Sequence, residues 1–89
     1  MAIFVDDLQD YGSNGQWCHM WTDKDEKQLD TFAQSLGLRK AWAQDKQGVT
    51  GRFYHYDLRP AKRELAISRG AVYKSLHEYV RERMANSDG

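Results

Sequence analysis

Apolar positions that alternate with polar ones, and that are rich in aromatic and β-branched residues, predict several short strands in this chain. They lie at residues 2–5, 17–21, 38–43, 53–57 and 71–73. The segments at residues 8–16 and 44–51 lack such a pattern and contain glycine with polar residues. These two segments are therefore predicted to be loops.

Apolar residues three and four positions apart predict a helix after the second strand. Its buried stripe is predicted to consist of Leu29, Phe32, Ala33 and Leu36. Thr22 and Asp23 offer N-cap oxygens, while Asp25 and Glu26 place negative charge in the first turn. Gly37 is expected to end this helix.

Two further helices have clear start signals. Pro60 suits the first turn of a helix over residues 60–69. Ser75 followed by Glu78 is a capping box, which predicts a last helix over residues 76–84. The inner face of the second helix is predicted to hold Leu58, Ala61 and Leu65.

Strands that alternate with helices in so short a chain predict a small α/β domain. We expect a sheet of about four to five strands packed by three helices, in two or three layers. A chain of 89 residues has room for one core, which we place at residues 1–84, and the tail at residues 85–89 is expected to fray. Because the core is small, homodimerisation stays open.

The composition excludes several classes of function. Lys plus Arg and Asp plus Glu both number 13, so no net charge attracts nucleic acid or an anionic membrane. The single cysteine, Cys18, forms no internal disulfide and leaves too few thiolates for a cysteine zinc site. No signal peptide is visible, and no apolar run reaches the ~18 residues of a membrane span. We therefore expect a soluble, cytoplasmic protein.

Functional groups are concentrated where the strand at residues 53–57 runs into the second helix. Because side chains alternate along a strand, His55 and Asp57 share one face, while Tyr54 and Tyr56 point to the other. Three cations follow at the start of the helix, namely Arg59, Lys62 and Arg63. Alternation along the strand at residues 17–21 places on one face Trp17, His19 and Trp21.

The first functional hypothesis is binding of a phosphate-bearing nucleotide or nucleotide-derived small molecule, for sensing or sequestration. The cations lie where backbone amides and the helix dipole favour phosphate, and the aromatic rings can stack on a base. No glycine-rich phosphate loop is present, so ATP or NAD binding by a standard motif is not expected. The expected ligand-binding residues are His19, His55, Asp57, Arg59, Lys62, Arg63, Trp17, Trp21 and Tyr56.

The alternative hypothesis is a metal-dependent phosphodiester or nucleotide hydrolase. Its candidate metal ligands are Asp6, Asp7, His19, His55 and Asp57. The two N-terminal aspartates reach the site only if the first strand lies beside the central one with its carboxyl end towards the second helix. A protein-interaction module without a ligand is a third hypothesis. Covalent catalysis by Cys18 is disfavoured, because Cys18 and its neighbour His19 point to opposite faces of a strand.

Several segments together resemble a family of short bacterial and phage proteins, domain-of-unknown-function family four-zero-three-one. The most specific segments are Val-Asp-Asp at residues 5–7, Trp-Cys-His-Met at residues 17–20 and His-Tyr-Asp-Leu at residues 55–58. The resemblance spans nearly the whole chain and implies that His19, His55 and Asp57 belong to one site, without implying an activity. Arg59 departs from the pattern, since a small hydroxyl residue is usual at that helix cap.

Overall fold

A computed structural model describes residues 2–23, 25–48 and 51–86 of the chain. The strands are β1 (Ile3–Val5), β2 (Gln9–Asp10), β3 (Gln16–Thr22), β4 (Gln44–Gly48), β5 (Gly51–Leu58) and β6 (Val72–Tyr73). The helices are α1 (Glu26–Ser35), α2 (Pro60–Ser68) and α3 (Leu76–Asn86), with 3-10 turns at Gly12–Asn14 and Lys40–Trp42. The predicted small α/β domain with three helices is confirmed.

The strands form one mixed sheet in the order β4, β5, β3, β1, β6, and β2 pairs with the start of β3. β3 pairs antiparallel with both β1 and β5, β4 pairs antiparallel with β5, and β6 pairs parallel with β1. Because β1 and β5 are both antiparallel to β3, they run in the same direction and end at the same edge of the sheet. Residues that follow β1 thus come close to the end of β5, although β3 separates the two strands.

The two faces of the sheet are covered by different helices. One face packs against α1 and α2, and its core includes Val5, Cys18, Met20, Leu29, Ala33, Leu36, Leu58 and Ala66. Each large apolar side chain that is fully buried in this way stabilises the fold by ~1.5–3 kcal/mol. On the other face, Tyr79 of α3 contacts the rings of Phe4, Trp21 and Phe53 at centroid distances of 6.4, 5.2 and 6.4 Å. The domain therefore has three layers.

The first helix begins later than its predicted caps. Asp25 is the N-cap, because its side chain accepts a hydrogen bond from the Lys27 amide at 2.9 Å, so the prediction of Thr22 or Asp23 as cap was wrong. Thr22 instead ends β3 and donates its hydroxyl to the Ala2 carbonyl at 2.7 Å. The predicted stripe lies inward, and Gly37 follows the helix with a φ of 90°, a left-handed conformation that favours glycine.

The prediction of a strand at residues 38–43 was wrong. Leu38 is buried in the core, after which the chain makes the 3-10 turn Lys40–Trp42 and leaves Trp42 53% exposed. The strand lies further on, at Gln44–Gly48, within a segment predicted to be a loop, of which residues 49 and 50 lie outside the described residues. β4 is an edge strand, where polar and charged side chains are tolerated, so its sequence has no apolar alternation. The other predicted loop, at residues 8–16, contains β2 and a 3-10 turn.

The second helix is rotated relative to its predicted orientation. Ala61 is exposed, Leu65 is partly buried, and Ala66 is the buried residue of this helix. The predicted inner face was therefore wrong at Ala61. The rotation turns the stem of Lys62 towards the domain, where its ammonium group donates to the Leu36 carbonyl at 2.5 Å.

The third helix is longer than predicted. It begins at Leu76 behind the predicted cap, since the Ser75 hydroxyl accepts from the Glu78 amide at 3.1 Å. It continues to Asn86, so the part of the predicted frayed tail that is described is helical, and residues 87–89 lie outside the described residues. Among the described helices, none has the length and apolar character needed to cross a membrane.

Candidate metal centre

Strand register brings four polar side chains together on the face opposite the main core. His19 of β3 lies directly across from Asp57 of β5, and Gln44 of β4 lies directly across from His55. His55 and Asp57 are two residues apart on β5, so they point to the same side of the sheet. Three adjacent strands therefore supply one compact group.

Asp6 fixes the orientation of His19. Its side chain accepts two hydrogen bonds, from the His19 amide at 2.6 Å and from Nδ1 of the His19 ring at 2.7 Å. Asp6 is only 2% exposed, and its carbonyl accepts a hydrogen bond from Nε of Arg63 at 2.9 Å. The bond to the Asp6 carboxylate raises the pKa of His19 above its ordinary value. Because Nδ1 is held in this way, Nε2 is the nitrogen of His19 that a ligand can use.

His55 is held in the corresponding way. Its Nδ1 lies 3.3 Å from the Phe53 carbonyl, and its ring stacks on Phe53 with centroids 4.5 Å apart. Its Nε2 lies 3.5 Å from Oδ1 of Asp57, and this interaction lowers the pKa of that carboxyl group. Gln44 donates its side-chain amide to the other carboxylate oxygen, Oδ2 of Asp57. The protein thus holds Nδ1 of His55 and Oδ2 of Asp57. The other two atoms, Nε2 of His55 and Oδ1 of Asp57, lie next to each other.

The arrangement has the chemistry of a divalent metal site. One ligand atom each from His19, His55 and Asp57 lies within 4.8 Å of the other two. Two imidazoles and a carboxylate are ligands that zinc and other first-row transition metals prefer, and three protein ligands leave a position for water or substrate. Metal-ligating histidines commonly donate their second nitrogen to a carboxylate or a carbonyl, as His19 does to Asp6 and His55 to Phe53.

Two cavities open beside this group. One has a volume of about 380 Å³ and is lined by all three candidate ligands together with Gln44, Lys46, Trp17, Cys18, Asn14 and Tyr11. The second, of about 510 Å³, is lined by Leu38, Trp42, Arg59 and Lys62, and it shares with the first Trp17, Gln44 and Asp57. Asp57 therefore lines both cavities.

The structure does not bring every sequence-predicted site residue to these cavities. Trp17, Arg59 and Lys62 line them, but Arg63 is engaged with the Asp6 carbonyl. Trp21 is 1% exposed beneath Tyr79 of α3. Tyr56 and Asp7 line neither cavity.

Tyr56 lies on the face covered by α1 and α2, where its hydroxyl donates to Asp30 at 2.7 Å. Asp7 is exposed and accepts a hydrogen bond from the Tyr73 hydroxyl at 2.9 Å. Of the two N-terminal aspartates, only Asp6 is thus hydrogen-bonded to a candidate ligand, His19. Cys18 is buried with the core, and burial is the main cause that raises the pKa of its thiol to about 12.

Sequence reasoning missed Gln44, Lys46 and Trp42 as site residues. Gln44 and Lys46 fall in an edge strand that was predicted to be a loop, and Trp42 falls in a turn that was predicted to be a strand. The only sequence signal for Trp42 was a large aromatic residue in a polar neighbourhood. For Gln44 there was none, because its role depends on pairing across from His55.

The comparisons with known proteins identify a family and nothing closer. Neither the curated proteins nor the solved structures gave a match. The family model described as "Protein of unknown function (DUF4031)" matches residues 3–86, which is nearly the whole chain. The expected resemblance is confirmed, and the chain belongs to the DUF4031 family.

Proposed function

We propose that this protein binds a divalent transition metal between His19, His55 and Asp57 and uses it to hydrolyse a phosphate ester of a small molecule. The observation that carries the proposal is the approach of three ligand atoms to within 4.8 Å of one another on the face away from the main core. Metal-ligating histidines almost always donate their second ring nitrogen to a carboxylate, a carbonyl or a water, and His19 and His55 have such partners in Asp6 and the Phe53 carbonyl.

The ligand types favour zinc, manganese, cobalt or ferrous iron over magnesium. Imidazole suits transition metals, whereas magnesium prefers a shell made only of oxygen atoms and retains several waters. A metal held by three protein ligands lowers the pKa of a bound water and polarises a phosphoryl oxygen. The proposed site therefore combines a source of hydroxide with an adjacent cavity of about 380 Å³ for the ester.

A metal held by His19, His55 and Asp57 would supply a water of lowered pKa as the nucleophile for the ester. As that water attacked phosphorus and gave up a proton, the bond from phosphorus to the leaving oxygen would break, and the leaving oxygen would take up a proton. Lys46 lines the cavity and Arg59 lines the adjoining one, so positive charge is available beside the phosphate. Binding without turnover, for sensing or sequestration, uses the same site and differs only in lacking this step.

Metal binding tests the proposal first. Chelator-treated protein is titrated calorimetrically with Zn²⁺, Mn²⁺, Co²⁺ and Mg²⁺, and we expect one transition-metal ion per chain with little heat from Mg²⁺. His55→Ala removes a ligand and should weaken binding by roughly 100-fold or more. His77→Ala is the matched control, because His77 is exposed on α3 and outside the cluster.

Hydrolysis is then measured with bis(4-nitrophenyl) phosphate and 4-nitrophenyl phosphate in the presence of the best-bound metal. We expect release of nitrophenol that requires the metal, is lost in His55→Ala and persists in His77→Ala. Absence of heat from every ion, or equal affinities for the two variants, would remove the metal site. Tight metal binding without turnover of either ester would replace hydrolysis with sensing or sequestration.

A further inference from the structure

A second cavity next to the proposed metal centre has features that the metal does not require. We call it the aromatic cleft, and define it by Trp17, Leu38, Trp42, Arg59 and Lys62, together with Gln44 and Asp57, which it shares with the first cavity. Its volume is about 510 Å³, within the range of sites for small organic ligands. Two indoles and two cations in one cleft suit a ligand that is both planar and anionic.

Trp42 is the least explained residue of the cleft. Its side chain is 53% exposed on the 3-10 turn between α1 and β4, although burying this large ring would enlarge the small core of the domain. The Arg39 guanidinium carbon lies 5.8 Å from the Trp42 ring centroid and covers part of the ring. An exposed indole that lines a cavity is suited to stack on a flat aromatic ligand, since every nucleobase has a π-face.

Trp17 and Arg59 also line the cleft and contact each other. Nε1 of Trp17 donates to the Asn14 carbonyl at 2.7 Å, and the same carbonyl accepts from the Arg59 guanidinium at 3.0 Å. The guanidinium carbon lies 4.7 Å from the Trp17 ring centroid. Gly15, at a φ of 85°, passes so close to this guanidinium that a side chain there would collide with it. Arg59 is thus held over the indole and keeps further N–H donors for a ligand.

Lys62 supplies the second cation. One of its three ammonium donors is engaged with the Leu36 carbonyl, and the residue lines the cleft, so two donors are left for an anion. Arg59 and Lys62, which are positively charged, line the same cavity as Asp57. A bound metal would neutralise the negative charge of the Asp57 carboxylate. An anionic ligand group placed there meets two cations and a metal.

We propose that the aromatic cleft binds the base and that the substrate of the metal centre is a nucleoside phosphate. The base stacks on Trp42, while the phosphate lies between Arg59, Lys62 and the metal at Asp57. This inference rests on the proposed function, because it names the substrate class for that same metal centre. The inference differs from the proposed function in its evidence, which is the side chains of the aromatic cleft, because a metal site for simple esters does not need them.

The test separates base recognition from phosphate recognition and from metal binding. AMP, adenosine, ribose 5-phosphate and inorganic phosphate are titrated into the full chain, with chelator and then with Zn²⁺, by calorimetry and tryptophan fluorescence. We expect AMP to bind at least tenfold more tightly than adenosine or ribose 5-phosphate in both conditions, with quenching of fluorescence by stacking. Zn²⁺ should tighten binding of AMP and of inorganic phosphate but leave adenosine unchanged.

Three variants assign the interactions. Trp42→Ala should weaken AMP about tenfold and leave ribose 5-phosphate unchanged, and Trp42→Phe should restore most of the affinity. Lys62→Met should weaken the binding of AMP and of ribose 5-phosphate by the same factor, and this factor should be larger at low salt. The matched controls are Tyr73→Ala, a half-exposed aromatic on β6, and Lys27→Met, an exposed cation on α1; both should bind AMP as wild type does.

The outcomes distinguish the inference from the proposed function. If Zn²⁺ binds through His55 but AMP binds no better than ribose 5-phosphate, the nucleotide inference is overturned and the metal function stands. The same holds if Trp42→Ala leaves AMP affinity unchanged while its melting temperature matches that of wild type. If AMP binds in a Trp42-dependent way and no metal binds, the metal function is overturned and the base-binding cleft stands.

Discussion

The two faces of the sheet use the same strands for opposite purposes. On β3, Cys18 is buried beneath the helices, whereas the next residue, His19, lies on the other face and is partly exposed. On β5, Tyr56 is 1% exposed on the face covered by α1 and α2, while its neighbours His55 and Asp57 belong to the cluster on the other face. At these positions, alternation with a period of two thus places packed side chains and candidate ligands on opposite faces.

The polar groups of the two faces also differ in how their hydrogen bonds are completed. The hydroxyls of Tyr54 and Tyr56 both donate to Oδ1 of Asp30 at 2.7 Å, and burial together with this carboxylate raises the pKa of both phenols. On the other face, Asp6 and Gln44 each hold one atom of a candidate ligand, and the remaining ligand atoms converge. In the first network, side chains of the domain hydrogen-bond to one another, which stabilises the fold. The second positions groups for a ligand.

The largest expected effect comes from shortening a buried side chain on the face covered by α1 and α2. Met20 is fully buried between Val5 and Tyr56 in the sheet, so Met20→Ala should lower the free energy of unfolding by ~2–5 kcal/mol. Chemical denaturation in urea, followed by circular dichroism, measures the change. Protein that remains folded should keep one metal ion per chain, because His19 and Asp57 stay in register.

Met84→Ala is the matched control for this prediction. Met84 is 56% exposed on α3, so its truncation should change the free energy of unfolding by no more than ~0.5 kcal/mol. Equal losses for the two methionines would contradict the assignment of the main core to the face of α1 and α2. A variant Met20→Leu, which keeps the volume, should recover most of the stability.

A smaller effect is expected from Asp6, which lies at the carboxyl end of β1. In Asp6→Asn, the side-chain oxygen can still accept from the His19 amide, but its NH₂ group faces Nδ1 and makes that nitrogen an acceptor. The proton of the neutral ring then moves to Nε2, the nitrogen that the metal needs. Zn²⁺ affinity should fall by roughly 10- to 100-fold, as is usual when the partner of a metal-ligating histidine is changed.

Asp7→Asn is the control, because Asp7 is the adjacent residue and is exposed with a hydrogen bond to Tyr73. It should leave Zn²⁺ affinity unchanged. Calorimetric titration of both variants, with thermal melts of the metal-free proteins beside it, separates lost affinity from lost folding. If Asp6→Asn binds Zn²⁺ as tightly as Asp7→Asn, then Asp6 does not orient a metal ligand.

The contrast between the faces also explains how far the sequence could be interpreted. Patterns within one element were informative: alternation placed His55 with Asp57, and helical spacing placed Leu29, Ala33 and Leu36 in the core. Both rest on the local geometry of a strand or a helix, which the sequence reveals directly.

Relations between elements were not accessible in this way. The pairing of His19 with Asp57 and of Gln44 with His55 depends on strand order and register, which local patterns do not specify. The edge strand β4 is polar because one of its sides has no neighbouring strand among the described residues, so it lacks the apolar signal of a strand. The rotation of α2, which exposes Ala61 and turns Lys62 inward, likewise follows from packing against the rest of the domain.

The last expected effect is the response of the face covered by α1 and α2 to alkaline pH. Burial raises the pKa of the Cys18 thiol from 9.0 to about 12, so the unfolded chain loses this proton at lower pH than the folded chain. Stability from the neutral thiol is complete below pH 9.0 and is lost as pH rises towards 12, by up to about 1.4 kcal/mol per pH unit. Tyr54, raised from 10.0 to about 12, adds a loss of the same sign that begins only above pH 10.0.

Thermal melts of wild type and Cys18→Ala between pH 7 and 11 separate these two contributions. The variant should start from a lower melting temperature at neutral pH, because a buried side chain is shortened, but its melting temperature should stay level between pH 9 and 10. Wild type should begin to decline about one pH unit earlier. Alkylation of the thiol by iodoacetamide should be slow in the folded protein and fast in urea, since only the thiolate reacts. Parallel curves for the two proteins between pH 9 and 10, or fast alkylation of the folded chain, would show that Cys18 is not held as a buried neutral thiol and would weaken the division between the two faces.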